Sequence, residues 1–383
     1  DSGGSNLLGK KLFCAEDRRR QAVRSMPRLV YDALDGAAGR ETSSQENISA
    51  LQAIKLQGRV LVNVAERSLQ TSFLGRRWHL PFGVAPMGMC DLFWPGADRA
   101  LAKAAKTHGF PLGVSTMASS PMEQIIEEAE GNAWFQLYAG QSDDETYALV
   151  ERAQNSGYQT LILTADVPAL PARPRDYRNG FAVPFSMRPN HFVDFAFHPK
   201  WSLQTLINGI PSPKNVAIQK NKDHSGFRRE SGRDRIDWDF LSELRTRWKG
   251  NLILKGVMSC EDAKRAMATS VDAVYVSNHG GRQLESAPSA ISRLSKIRTV
   301  LGDDTSVVFD SGVRNGDDVA RALATGADFV MLGRPILYAL AGRGERGLNE
   351  FLRLLIDEFS IVMAQLGCTE PAQINHECIA SED

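Results

Sequence analysis

The sequence has no long apolar run: nothing in it approaches the ~18 uninterrupted apolar residues a membrane-spanning helix needs. It also lacks net charge. Its 45 basic residues are balanced by 45 acidic ones, which leaves no cationic surplus to neutralise phosphates and argues against a nucleic-acid partner. Cysteine is scarce, odd in number and scattered (Cys14, Cys90, Cys260, Cys368, Cys378). That distribution suits neither a disulfide scaffold nor a metal site. It reads as reduced thiols in a cytoplasmic protein with no metal. A Rossmann glycine fingerprint after a first strand is missing too, so there is no dinucleotide cradle of the usual kind.

What is present is alternation. From Pro81 onward, short apolar runs are followed by stretches with helical spacing. The runs are "PFGVAPMG", "PLGVST", "AWFQLYA", "TLILTAD", "NLILKGV", "AVYVSNHG", "SVVFDSG" and "FVMLG". Continuous apolar strands are buried on both faces, as in a parallel sheet. Eight of them with intervening helices predict an α/β fold, a (β/α)8 TIM barrel. Residues 1–80 are expected to form an N-terminal helical extension and 81–383 the barrel. The repeat is interrupted once, by a long insert after strand 4 spanning 167–238, rich in Pro, Asn, Arg and aromatics. A connection of that length is usually functional.

The polar chemistry collects where the strands end, which is where such barrels place their active sites. Those ends carry Gly88, Ser115, Gln136 and Tyr138, Thr164 and Asp166, Lys255, His279 and Arg282, Asp310, and Gly333 with Arg334. Polar residues are expected wherever strands meet water, and a lone loop histidine is ordinarily unremarkable chemistry. Lys255, His279 and Asp310 at the ends of buried strands go beyond that expectation. "DSGVRNG", with Gly312 and Arg314, and "LGRP" form glycine turns after the last two strands. Backbone N–H groups there can face a phosphate, and Arg314 and Arg334 add charge.

"SNHGGRQL" at 277–284, with "MPRLVYD", "WFQLY", "LTAD", "KGV", "DSGVRNG" and "LGRP", resembles the FMN-dependent α-hydroxy-acid oxidases and dehydrogenases over nearly the whole chain. "FLGRRWHLPFGVAP" and "HPKWSL" point to the mandelate dehydrogenase branch. The resemblance implies FMN as cofactor and oxidation of an L-(S)-2-hydroxy acid to the 2-keto acid. His279 then matches the base and Asp166 the carboxylate that supports it. Arg173 and Arg282 match the carboxylate clamp, Tyr138 a substrate contact, and Lys255 the cation at the flavin pyrimidine edge. Pro86, Met87, Gly88, Ser115, Gln136 and Thr164 match flavin-ring contacts. Asp310, Gly312, Arg314, Gly333 and Arg334 match the phosphate side.

The chain departs from that pattern at Ala33, where the family carries a second tyrosine; "VYDALDG" stands in place of V-Y-D-Y. The gap predicts a bulky or aromatic substrate. In the insert, "FVDFAFHPKWSLQTLINGI" sets aromatics beside Lys200, the make-up of a segment lying in the headgroup region of a membrane. Quinone or oxygen is the expected electron acceptor, a tetramer the expected assembly, and the inner face of the cytoplasmic membrane a candidate location. Other readings are a small-substrate oxidase using oxygen, another FMN barrel chemistry, or a flavin barrel that has lost turnover.

Overall fold

The computed structural model describes residues 13–181, 189, 191–216 and 233–381. The opening "DSGGSN" and part of the insert lie outside the described residues. The extension begins with α1 (Ala15–Ser25), α2 (Arg28–Asp35) and α3 (Thr42–Ala53). Pro27 precedes the first turn of α2, where its fixed φ suits helix entry. The extension, expected to be helical, is not wholly so. Residues 71–78 form a tight antiparallel hairpin, β1 (Thr71–Phe73) and β2 (Arg76–Trp78), turned at Gly75.

The barrel strands follow as β3 (Phe82–Met87), β4 (Leu112–Ser115), β5 (Ala133–Leu137), β6 (Thr160–Thr164), β7 (Asn251–Val257), β8 (Ala273–Val276), β9 (Ser306–Phe309) and β10 (Phe329–Leu332). All pair in parallel, and β10 closes on β3 through Val330–Phe82 and Leu332–Val84, completing the predicted (β/α)8 barrel. Lys255 is not the last residue of its strand; β7 continues through Gly256 to Val257. The layer of helices is α4 (Ala97–His108), α5 (Met122–Glu128), α6 (Asp143–Asn155), α10 (Trp238–Arg247), α11 (Cys260–Ala268), α12 (Ala290–Leu301), α13 (Gly316–Ala324) and α14 (Arg334–Leu366). The insert supplies α7 (Pro174–Asn179), α8 (His191–Phe197) and α9 (Pro199–Asn208) between β6 and α10. Ser142, Asp237, Ser259 and Asn315 cap α6, α10, α11 and α13 by accepting free amides of their first turns.

The hairpin closes the N-terminal end of the barrel. Phe73 and Trp78 pack with Trp134 and Phe329 from the strands, with ring centroids 5.2–6.4 Å apart. Arg76 lies over the Trp78 ring and donates to the Gly131 carbonyl just before β5. Each aromatic ring removes roughly 150–250 Å² from water, so the plug is a substantial part of the barrel core. The opposite end, where the strands finish, is left for chemistry.

Candidate active site

β6, β7 and β8 bring Asp166, Lys255 and His279 into one cluster. Lys255 Nζ donates to Ser277 Oγ (3.1 Å) and lies 4.0 Å from Asp166 Oδ2 and 3.9 Å from Asp310 Oδ2. Burial alone would lower the ammonium's pKa, but the two carboxylates outweigh it and hold Lys255 above its ordinary value. Asp166 is affected in the complementary sense: burial opposes its charge, yet Lys255 and His279 keep the carboxyl below the usual range. His279 Nδ1 lies 3.1 Å from Asp166 Oδ1. Burial, with Lys255 adding to it, lowers the imidazole pKa against the pull of Asp166. A carboxylate only accepts, so the neutral ring carries its proton on Nδ1 and keeps the Nε2 lone pair free.

Asp310 has a supporting place. Its oxygens accept from Tyr275 (2.8 Å), Ser277 (2.5 Å) and Ser311 (2.8 Å) hydroxyls, which tie β8 to β9 beneath Lys255. His279 itself sits in a short turn with φ +59°, left-handed for a residue with a side chain. The turn is held from below, since Ser277 Oγ accepts the His279 amide and Ser311 Oγ the Gly280 amide.

The arginines converge on the same mouth. Arg282 donates to the carbonyls of Ala33 (3.1 Å), Leu34 (3.4 Å) and Gly36 at the end of α2. Arg334 joins it there, donating to Leu34 (3.3 Å), Gly36 (3.0 Å) and Gly280 (2.9 Å). The carbonyl end of a helix is a natural seat for cations. Arg173, the residue before α7, reaches the Arg282 carbonyl (3.4 Å). Tyr138 is covered on one ring face by Arg233, 3.9 Å from its centroid. Arg233 comes from the far end of the insert, and nothing in its sequence context marks it.

The glycines divide by role. A Cβ on Gly88 would come 2.9 Å from that of Met117, so the β3 and β4 loops need a glycine to pass. Gly312 (φ +97°) is pressed against the Asn47 carbonyl of α3, whereas Gly333 has ordinary room beside Met87. Pro86 packs in the same way over Gly113.

A family model described as FMN-dependent dehydrogenase matches residues 22–381. The chain belongs to this FMN-dependent dehydrogenase family. It is 35% identical over 378 residues to the (S)-mandelate dehydrogenase of Pseudomonas putida, covering 98% of this chain and 95% of the relative. The crystal structure of a monotopic membrane protein, (S)-mandelate dehydrogenase, superposes with a TM-score of 0.92 at 36% identity, covering 97% of this chain and all of that one. A mandelate oxidase variant with (S)-mandelic acid gives 0.81 at 30% identity over 95% of this chain and 97% of its own.

The residues fit the family's FMN. Gln136 Oε1 accepts from Ser115 Oγ (3.1 Å), but Gln136 Nε2 and the Thr164 hydroxyl are buried with no protein partner. Such orphaned groups are costly unless something completes them. They stand on adjacent strands beside Lys255, where a ring edged with carbonyls and an N–H would satisfy both. Arg314 is a half-buried guanidinium, its pKa pushed down by desolvation, and a dianionic phosphate would restore it. Met87, Gly88 and Ser115 border the same side of the mouth.

Several residues that shape this site carry no signal in the sequence. Asn47 and Ser43 meet the His279 turn from α3, and Arg175 binds α7 to α2 through Asp32 and Asp35 and to Glu41 just before α3.

Proposed function

We propose that this dehydrogenase oxidises an (S)-2-hydroxy acid with a bulky or aromatic side chain to the 2-keto acid and passes the electrons to a membrane quinone. The observation that carries this reading is the His279–Asp166 contact beside buried Lys255. Bound FMN supplies the two-electron sink. Nε2 of His279 takes the proton that the substrate must lose as its C–O bond becomes C=O, and Asp166 steadies the imidazolium that results. Arg173 and Arg282 hold the carboxylate, a task for which the planar guanidinium fork is suited. The Arg173 Nε is buried without a protein partner, which agrees with a ligand there. Tyr138 bounds the pocket on the other side. Lys255 would offer a fixed positive charge to the bound cofactor as it takes up electrons.

The insert supports the choice of acceptor. Phe197, Leu206 and Ile207 on α8 and α9 are 79%, 80% and 73% exposed, and Phe192, Val193 and Leu203 lie with them. Surfaces facing water seldom expose so many large apolar side chains within two short helices, and the set suits insertion at a membrane surface. Phe195 and Trp201 do not belong to that face, contrary to the expectation from sequence. They are 7% and 5% exposed, and the Trp201 indole donates to the Leu92 carbonyl, anchoring the pair of helices to the barrel. No helix among the described residues is long and apolar enough to cross a membrane. A peripheral position on the inner face of the cytoplasmic membrane, as a tetramer, completes the proposal.

The test is anaerobic reduction of the bound flavin by (S)-mandelate, (S)-lactate and glycolate, followed by reoxidation with air or a lipid-soluble quinone. Faster bleaching by mandelate and faster recovery with quinone are expected. Preference for glycolate with brisk recovery in air would identify a small-substrate oxidase instead.

A further inference from the structure

The inner face of α3 is unusual. At helical spacing it presents Ser43, Asn47 and Leu51, all buried, so two of three inward positions are polar. Burying an amide is unfavourable unless every donor and acceptor is matched. Here they are. Asn47 Nδ2 donates to Asn278 Oδ1 (2.8 Å), and Asn278 Nδ2 donates back to Asn47 Oδ1 (2.9 Å). Asn278 Nδ2 also reaches Ser43 Oγ (3.1 Å) and the Pro288 carbonyl (3.0 Å). Asn47 Oδ1 further accepts the Ala290 amide (3.0 Å) at the start of α12.

The partner, Asn278, directly precedes His279. Its Oδ1 accepts the Gly281 amide (3.1 Å), closing the turn that carries His279 in its left-handed conformation. A non-glycine residue holds that conformation only where its surroundings enforce it. The helix lies against the turn with no slack: a Cβ on Gly281 (φ +74°) would come 2.4 Å from the Ser44 nitrogen, and one on Gly312 2.6 Å from the Asn47 carbonyl. An aliphatic residue at 47 would fill the space, but it would leave the Asn278 amide incompletely paired and the turn free to relax.

We infer that Asn47 is a positioning residue for catalysis: through its reciprocal amide pair with Asn278 it fixes the His279 turn, and so the aim of the imidazole between Asp166 and substrate. The N-terminal extension thereby becomes part of the catalytic apparatus, although it contributes no group to the reaction. The inference rests on His279 being the base.

The experiment compares Asn47→Ala, Asn47→Asp and Ser43→Ala as holoenzymes. FMN content, melting temperature, KM, the rate of flavin reduction per bound flavin and its pH dependence are measured for each. Asn47→Ala should reduce its flavin about tenfold to a hundredfold more slowly, the scale expected when a reacting group is misplaced by about an ångström. KM should change less, and the acid limb of the pH profile should move because the Asp166 contact loosens. Asn47→Asp keeps the acceptor for Asn278 and Ala290 but loses the donor, so an intermediate loss is expected. Ser43→Ala removes one of three acceptors and should be mildest. In a His279→Ala background, Asn47→Ala should slow reduction no further. A lower melting temperature with unchanged rate and pH limb in both Asn47 variants would overturn the inference, as would an undiminished effect without His279. If instead His279→Ala reduces flavin at the wild-type rate, the parent reading fails.

Discussion

His279 presents Nδ1 to both oxygens of Asp166, at 3.1 and 3.2 Å. Because burial lowers the imidazole pKa and Asp166 opposes that shift, the rate of flavin reduction should rise with pH through the depressed histidine value and then level. Asp166→Asn removes the opposing charge. The limb should therefore move to still lower pH while the plateau falls by about two orders of magnitude or more, the range typical of general base catalysis. Stopped-flow reduction across pH checks this, and a limb moving upward would contradict it.

Arg175 bridges Asp35 (2.8 Å), Asp32 (3.3 Å) and Glu41 (2.5 Å), two residues beyond Arg173. Arg175→Gln should loosen α7 and with it the clamp. Substrate KM is expected to rise about tenfold with kcat within about twofold, the pattern for lost uniform binding. Steady-state kinetics with the preferred acid decides it; an unchanged KM counts against the coupling.

Ala33 is buried next to the clamp, and its carbonyl receives Arg282 (3.1 Å). Ala33→Tyr should improve glycolate, through a hydroxyl able to reach the carboxylate, and penalise mandelate by crowding. The regained charge-assisted hydrogen bond is worth roughly 1.5–3 kcal/mol at most. The ratio of kcat/KM for the two acids reports the outcome, and no change in it removes the idea.

Replacing Phe197, Leu206 and Ile207 by Asp should release the protein from anionic vesicles. Flavin reduction by substrate should persist, since none of the three belongs to the proposed catalytic cluster. Reoxidation by vesicle-borne quinone should slow while a soluble dye still works. Cosedimentation and stopped-flow recovery measure the two halves, and undiminished vesicle binding would point to another docking surface.

Asp98 is buried at the start of α4, where it accepts the amides of Ser119 (2.6 Å) and Ser120 (3.0 Å). Desolvation, helped by Asp91, raises its pKa from 3.8 to about 7. The folded state then holds a proton that the unfolded chain has released, so wild-type stability falls as pH climbs from about 4 to about 7. Asp98→Asn lacks that titration. Its melting temperature should gain on the wild type over this window, and parallel curves would exclude the shift.

The barrel was legible because its strands, such as "TLILT" and "AVYV", are apolar on both faces and end in chemistry. The β1–β2 hairpin was not, since "TSF" and "RRW" are short, half polar and without alternation. Only the packing of Phe73 and Trp78 against Trp134 reveals their burial. The insert's aromatics were visible as a group, but their division into Trp201 facing inward and Phe197 facing outward depends on how α8 and α9 dock. Asn47 was hidden for a different reason. A single asparagine in "TSSQENISA" looks like solvent-facing polarity, and its burial is imposed by a turn more than two hundred residues away.

The aromatic stopper in the lower end of the barrel bars approach from that side. Under the proposed function, hydroxy acid, keto acid and the next electron carrier would then share the end where the strands finish, beside α2 and α7, and take turns there. Kinetics of the alternating kind are expected, with parallel double-reciprocal lines for donor and acceptor. Retention of product at the rim would then hold up the outward flow of electrons as well as the next substrate.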